Sequence, residues 1–119
     1  MPRAAFNLRR KIVAENVEDL PVWQTARALA NAVYEHTRTG AFSKDFGLRD
    51  QIQRAAVSIM SNIAEGFESR TQSQFIHYLG QAKASAGEVR CQLHVAKALG
   101  YIDQDTFEEV SDDAEKITR

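Results

Sequence analysis

The chain has 119 residues, of which 44% are hydrophobic and 26% charged, and its net charge at pH 7 is −1. These values indicate one globular domain and exclude a disordered chain, a disulfide-rich scaffold and a strongly basic nucleic-acid-binding protein. One cysteine and the absence of an apolar run of about 18 residues predict a cytoplasmic protein that does not span or contact a membrane.

Helices are predicted through nearly the whole chain. Two prolines and six glycines leave long uninterrupted stretches, which favour helices over a turn-rich β fold. We predict an N-terminal extension, residues 1–16, followed by one helical domain, residues 17–119.

The first predicted helix covers residues 20–37. Asp19 is its predicted N-cap, and Pro21 falls in the first turn, where its missing N–H costs least. Apolar or small residues then recur at steps of three and four, the period of one helical face. They are Trp23, Ala26, Leu29, Ala30, Val33 and Thr37.

The second predicted helix begins at Phe46 or Leu48 and ends at Glu65, because Gly66 stands where a left-handed residue commonly ends a helix. One apolar stripe runs along it, and a second line lies beside the first. The combined surface is wider than one helix seam needs, which predicts contacts with more than one neighbour. The stripe is Leu48, Ile52, Ala55, Ala56, Ile59 and Ile63, and the second line is Val57, Met60, Ala64 and Phe67.

The third and fourth helices complete the domain. Thr71 followed by Gln74 fits a capping box that starts the third helix, and Gly100 ends it. The fourth helix starts after Asp103, a good N-cap. Four helices with short connections predict an all-α, up-down-up-down antiparallel bundle. The apolar positions are Phe75, Leu79, Ala82, Ala86, Val89, Leu93 and Ala96 in the third helix, and Phe107, Val110, Ala114 and Ile117 in the fourth.

No motif in the sequence predicts catalysis, a cofactor or a metal. The histidines are far apart, and neither HExxH nor Glu-x-x-His occurs. Glu88, Cys91 and His94 form the nearest ligand set, but successive members rotate by about 60° around a helix, so only adjacent pairs could chelate. We predict a non-enzymatic protein without a cofactor, and keep a small-molecule or metal-binding bundle as the weaker alternative.

Polar and charged residues interrupt the apolar faces of the second and third helices. A bundle interior penalises such groups unless they are hydrogen-bonded, which predicts a network joining helices or subunits. In this network we expect Arg54 to pair with Glu65 or Glu88. A rival interpretation is nucleic-acid contact through Arg49, Arg54 and Arg70. The predicted site residues are Gln51, Arg54, Ser58, Asn62, Glu65, Gly66, Ser85 and Glu88.

The chain resembles the 23S rRNA intervening-sequence protein family, whose members are also called S23-type four-helix bundle proteins. The resemblance extends over nearly the whole domain and is most specific at residues 51–66. It rests on DLPVW at 19–23, GLRDQIQRAAVSIMSNIAEGF at 47–67, QFIHYLGQAKASAGEV at 74–89 and LGYI at 99–102.

The resemblance implies a small bundle that assembles into ring-shaped homo-oligomers, typically pentamers. Related accessory proteins of diversity-generating retroelements use a basic pentamer to bind nucleic acid and a reverse transcriptase. This chain lacks a strongly basic balance, although residues 1–98 carry a net charge of +4. We therefore expect a ring-forming scaffold that binds RNA or a nucleic-acid-processing protein, with a purely structural assembly protein as the alternative.

Overall fold

Four α-helices dominate the part of the chain that the computed structural model describes, residues 15–118. Consecutive helices pack against each other and α4 packs back on α1, which confirms the predicted all-α four-helix bundle. The bundle is a rod of 51 × 21 × 21 Å. The helices are α1 Pro21–Thr37, α2 Phe46–Glu68, α3 Gln72–Ala98 and α4 Gln104–Thr118, with 3-10 turns at Val17–Asp19 and Ala41–Lys44.

Residues 1–14 of the predicted extension, and Arg119, lie outside the described residues. None of the described helices combines the length and apolar character needed to span a membrane.

The start of α1 differs from the prediction by one residue. Leu20 is the N-cap, and Pro21 occupies the first helical position as predicted. Asp19 instead lies in the preceding 3-10 turn, where its N–H donates to the Asn16 carbonyl at 3.0 Å. The prediction that Asp19 caps the helix is therefore wrong, because the turn places this residue one position too early.

The start of α2 is tied to the connection between α3 and α4 at one end of the rod. Asp45 caps α2 by accepting the Leu48 N–H at 3.2 Å through Oδ1. Its second oxygen, Oδ2, accepts the Tyr101 hydroxyl at 2.9 Å. This bond, burial and the nearby Asp45 charge raise the pKa of Tyr101 above its ordinary value of 10.0. The Tyr101 ring also stacks on the buried Phe42 ring, with centroids 5.1 Å apart.

The end of α2 lies at Glu68, beyond the predicted end at Glu65. Gly66 is buried inside the helix, and among the described residues positive φ angles occur at Gly40 and Gly100. A Cβ placed on Gly66 would lie 3.4 Å from Cβ of Tyr78 and 3.6 Å from Cδ1 of Phe75. Gly66 is therefore a contact point between α2 and α3, and the prediction that it ends the helix is wrong.

Side-chain caps start α3 and α4 as predicted. Thr71 accepts the Gln74 N–H at 3.1 Å. Asp103 accepts the Thr106 N–H at 2.8 Å. This bond and a further one from the Thr106 side chain lower the pKa of Asp103 below its ordinary value of 3.8.

Gly100 ends α3 as predicted. Its φ of 76° is the left-handed conformation that glycine adopts without strain. The Gly100 N–H donates to the Lys97 carbonyl at 3.0 Å, and the Tyr101 N–H donates to the Ala96 carbonyl at 2.9 Å. These two bonds form a Schellman motif, which satisfies the last carbonyls of the helix.

The core follows the predicted apolar stripes over most of the rod. Phe75 and Leu79, at the start of α3, are only partly buried. The described part of α4 is shorter than α3, with 15 residues against 27. At 1.5 Å per residue these lengths are about 40 Å and about 22 Å, so α4 covers little of the first turns of α3.

Candidate functional site

A polar groove of about 280 Å³ lies between α2 and α3 and contains most of the predicted site residues. Helical spacing explains this, because residues three, four and seven apart share one face. On α2 this spacing aligns 51, 54 and 58, and on α3 it aligns 85, 88 and 92. The polar lining is Gln51, Arg54, Ser58, Ser85, Glu88 and Gln92, with Ala55 completing the wall.

The floor of the groove is a hydrogen-bonded link between the two helices. The buried Ser85 donates to the Ser58 hydroxyl at 3.0 Å. Asn62 Nδ2 donates to the same hydroxyl at 3.0 Å and to the Ser58 carbonyl at 2.9 Å. Because each group has a partner, burying it costs little. The predicted network thus joins Ser58, Asn62 and Ser85 within one chain.

The charged residues of the groove are exposed and do not form the predicted ion pairs. Arg54 and Glu65 both lie on α2, 11 residues apart, which corresponds to about 16 Å along the helix. Glu88 lies on α3 across the groove. Among residues 15–118, no ion pair within 4.0 Å joins Arg54 to either carboxylate. Within one chain the predicted pairing is wrong, and Arg54 and Glu88 are both accessible to another molecule.

Gln92 is a groove residue that the sequence analysis missed. Its side-chain oxygen, Oε1, is buried and has no hydrogen-bond partner among the described residues. An unsatisfied buried acceptor costs about 1–3 kcal/mol. The sequence carried a usable signal, because Gln92 lies four residues after Glu88 and seven after Ser85.

The remaining predicted residues lie outside the groove. Gly66 is a point at which α2 contacts α3, and Glu65 is exposed near the end of α2. Arg49 pairs with Asp50 at 2.9 Å and donates to the Ser43 carbonyl at 3.0 Å. Arg70 follows the opposite end of α2.

The three predicted nucleic-acid contacts therefore do not converge. Arg49 and Arg70 are separated by nearly the whole of α2, whose 23 residues correspond to about 34 Å. Arg54 lies in the groove between them. One compact phosphate-binding patch cannot be formed by these three side chains of a single chain.

Residues 15–118 contain neither a cluster of metal ligands nor a serine activated by a histidine. Within residues 15–118, no three His, Cys, Asp or Glu side chains are close enough together to hold a metal ion. Glu88, Cys91 and His94 are each exposed on α3. The groove hydroxyls of Ser58 and Ser85 bond to each other and to an amide rather than to an imidazole.

Comparison with known proteins agrees with the fold. The family model of the 23S rRNA-intervening sequence protein matches residues 18–119. No curated protein matches the chain significantly. A crystal structure of a protein of unknown function from the S23 ribosomal protein family of Bacteroides thetaiotaomicron is similar, with a TM-score of 0.74 and 26% sequence identity. The similarity covers 82% of this chain and 88% of that chain. The chain belongs to the 23S rRNA-intervening sequence protein family.

Proposed function

We propose that this protein is a non-enzymatic, ring-forming scaffold that binds a macromolecular partner in the α2–α3 groove. The observation that carries the proposal is the set of groove groups without partners among residues 15–118. Arg54 offers donors and Glu88 offers acceptors, and both side chains are exposed. A partner that supplied complementary groups would satisfy both.

The mixed charge of the groove favours a protein partner. A phosphate backbone attracted by Arg54 would be repelled by Glu88 on the other wall. A polypeptide carries both donors and acceptors along its backbone and charges of both signs on its side chains. A nucleic-acid-processing protein is the partner class that the family resemblance suggests.

RNA is the second candidate, and a separate surface supports it. Lys83, Arg90 and Lys97 are all exposed on α3. Their spacing of seven residues places them on one face, about 10 Å apart along the helix. Such a row could follow a phosphate backbone, and binding through it would weaken steeply with added salt.

Ring assembly is supported by the outer surface of α3. A stripe of exposed small and apolar residues runs along this helix, and we name it the outer stripe: Ile76, Gly80, Ala84, Gly87, Cys91 and Val95. No other atom lies within 4 Å of a Cβ placed on Gly80 or Gly87.

The two stripe glycines have no packing role among the described residues. A glycine inside a helix costs about 1 kcal/mol relative to alanine, so these positions are unfavourable for an isolated bundle. The exposed side chains of Ile76 (59%) and Val95 (45%) extend the apolar surface at the two ends of the stripe. A helix of a second copy could approach this surface closely and bury it.

Co-purification of partners tests the scaffold function. Tagged wild-type protein, Arg54→Ala and Glu88→Ala are compared in their native host extract, with Lys83→Ala as a control for charge loss on α3. We expect a protein retained by the wild type and by Lys83→Ala but lost from both groove variants. Identical partner profiles for all four proteins would reject the groove as the binding site.

Binding to a labelled single-stranded RNA oligonucleotide separates the two partner classes. If RNA is the partner, Lys83→Ala and Arg90→Ala should each weaken binding and reduce its dependence on salt. No binding at about 50 mM salt, where phosphate contacts are strong, would leave protein as the partner class.

A further inference from the structure

The floor of the polar groove determines how the residues of its two walls line up. Only residues 69–71 connect α2 to α3, so the two packed helices run in opposite directions. Ser58 on α2 meets Ser85 on α3, with their hydroxyl oxygens 3.0 Å apart. One turn from this contact, Arg54 and Glu88 therefore lie at the same level on opposite walls.

This charged level of the groove is open to another molecule. Both side chains are exposed, and among residues 15–118 no ion pair within 4.0 Å joins Arg54 to Glu88. A direct contact between two exposed charges contributes little to stability, so a ligand can bind both side chains without disrupting the fold. The groove therefore presents a positive wall and a negative wall at one level.

The next level of the groove carries two amides, about 5 Å further along the helices. Gln51 is exposed on α2, and Gln92 is partly buried on α3. A glutamine side chain contains a donor and an acceptor, as does each peptide unit of a polypeptide backbone. This level therefore suits the backbone beside a pair of bound charged side chains.

We propose that the groove binds an extended polypeptide segment in which an acidic and a basic residue are adjacent. The inference rests on the scaffold function proposed above and names the feature of the protein partner that is recognised. Successive side chains of an extended chain point to opposite sides, so two neighbouring residues reach opposite walls. The carboxylate binds Arg54, and the ammonium or guanidinium group binds Glu88.

The size of the groove favours a short extended segment over a helix. Its volume of about 280 Å³ lies at the lower end of the range for ligand sites, about 300–1,000 Å³. A helix with its side chains is about 10–12 Å across and would need a wider cleft. Two adjacent side chains with their backbone need less room.

Peptide titrations followed by NMR test the proposal. The probes are capped hexapeptides of glycine and serine with Glu-Lys, Glu-Glu, Lys-Lys or Gln-Gln at the centre. At low salt, the Glu-Lys peptide should shift the side-chain amide signals of Gln51 and Gln92 in isotope-labelled protein. It should bind at least about threefold more tightly than the Gln-Gln peptide, because two exposed charge pairs are gained. The side-chain amide of Gln104 on α4, outside the groove, should not shift.

Charge reversal on one wall should change which peptide is preferred. Arg54→Glu makes both walls acidic, and this variant should prefer the Lys-Lys peptide at least about threefold over Glu-Lys. Glu88→Arg makes both walls basic and should shift the preference equally far towards Glu-Glu. Lys83→Glu is the matched control, because it reverses an exposed charge on α3 outside the groove and should keep the wild-type preference.

Three results would overturn the proposal. The first is that no peptide shifts the groove amides, and the second is that all variants prefer the same peptide. The third is that a single-stranded RNA oligonucleotide shifts these amides while the peptides do not, which would assign the groove to RNA.

Co-purification separates this inference from the scaffold function. A protein that is lost from Arg54→Ala and Glu88→Ala, together with either of the first two results, would overturn recognition of paired charges and leave the scaffold function standing.

Discussion

Ser85 on α3 donates a hydrogen bond to the hydroxyl of Ser58 on α2 at 3.0 Å, and this contact forms the floor of the polar groove. Ser58 also accepts from Asn62, so one hydroxyl joins three side chains. The link sets the relative positions of the two helices whose outer residues, Arg54 and Glu88, line the groove.

A double-mutant cycle measures this link. Ser58→Ala and Ser85→Ala should each lower the free energy of unfolding by about 1 kcal/mol, because each leaves a buried polar partner unsatisfied. The double variant should lose clearly less than the sum, since no unsatisfied hydroxyl remains. Urea denaturation provides the measurement, and strictly additive losses would show that the two hydroxyls are not coupled.

Substitutions of Gly66 test whether this residue lies inside α2 or ends it. Gly66→Ala should change the free energy of unfolding by less than about 1 kcal/mol, because a gain in helix propensity offsets ordinary contact with Tyr78 and Phe75. Gly66→Leu should lose more than Gly66→Ala, by about 1–3 kcal/mol, since a Cβ already in contact with Tyr78 and Phe75 leaves its further carbons to displace these side chains. At a left-handed cap, alanine itself would be costly, so a strongly destabilised Gly66→Ala protein would contradict the helical assignment.

The outer stripe of α3 predicts how added bulk should affect the proposed ring. Gly87→Leu should reduce the solution mass measured by light scattering towards that of one chain, because leucine prevents close approach of a second helix. Glu109→Leu adds the same side chain to an exposed position of α4, away from the stripe, and should leave the mass unchanged. A Gly87→Leu protein with the wild-type oligomeric mass would exclude the stripe as an interface.

The raised pKa of Tyr101 predicts that the protein loses stability at alkaline pH. Its folded-state pKa is raised by the hydrogen bond to Asp45, so the contribution to stability is fully present below pH 10.0, the ordinary pKa, and is lost as the pH rises through the higher folded value. Tyr101→Phe removes the ionisable group. Between about pH 9 and pH 11, roughly one unit on each side of the ordinary tyrosine pKa, the Tm of this variant should therefore fall less than that of the wild type. Parallel alkaline transitions in the two proteins would assign the loss to other groups.

The lowered pKa of Asp103 predicts that the protein loses stability at acidic pH. Because capping of Thr106 lowers its pKa, its contribution is present above pH 3.8, the ordinary value, and is lost as the pH falls through the lower folded value. Asp103→Asn keeps a capping oxygen but does not titrate, so its Tm should drop less between neutral and acidic pH. Thermal melts of both proteins across this range test the difference, and equal drops would contradict it.

Local signals explain why much of the fold could be predicted. The caps at Thr71 and Asp103 and the terminating Gly100 act within a few residues, so their types and spacing are sufficient to identify them. The apolar stripes follow the helical period in the same way. The errors at Asp19 and Gly66 arose where a neighbouring turn or helix changed the meaning of a local signal.

The sequence by itself determined four amphipathic helices, their connections and the family, because periodicity and capping depend on neighbours along the chain. Only the tertiary structure decided that Ser58 meets Ser85, that Arg54 stands apart from both predicted carboxylates, and that Gln92 completes the groove. These relationships depend on the rotation and offset of α2 against α3. Side chains distant in sequence set that offset together, and no local pattern specifies it.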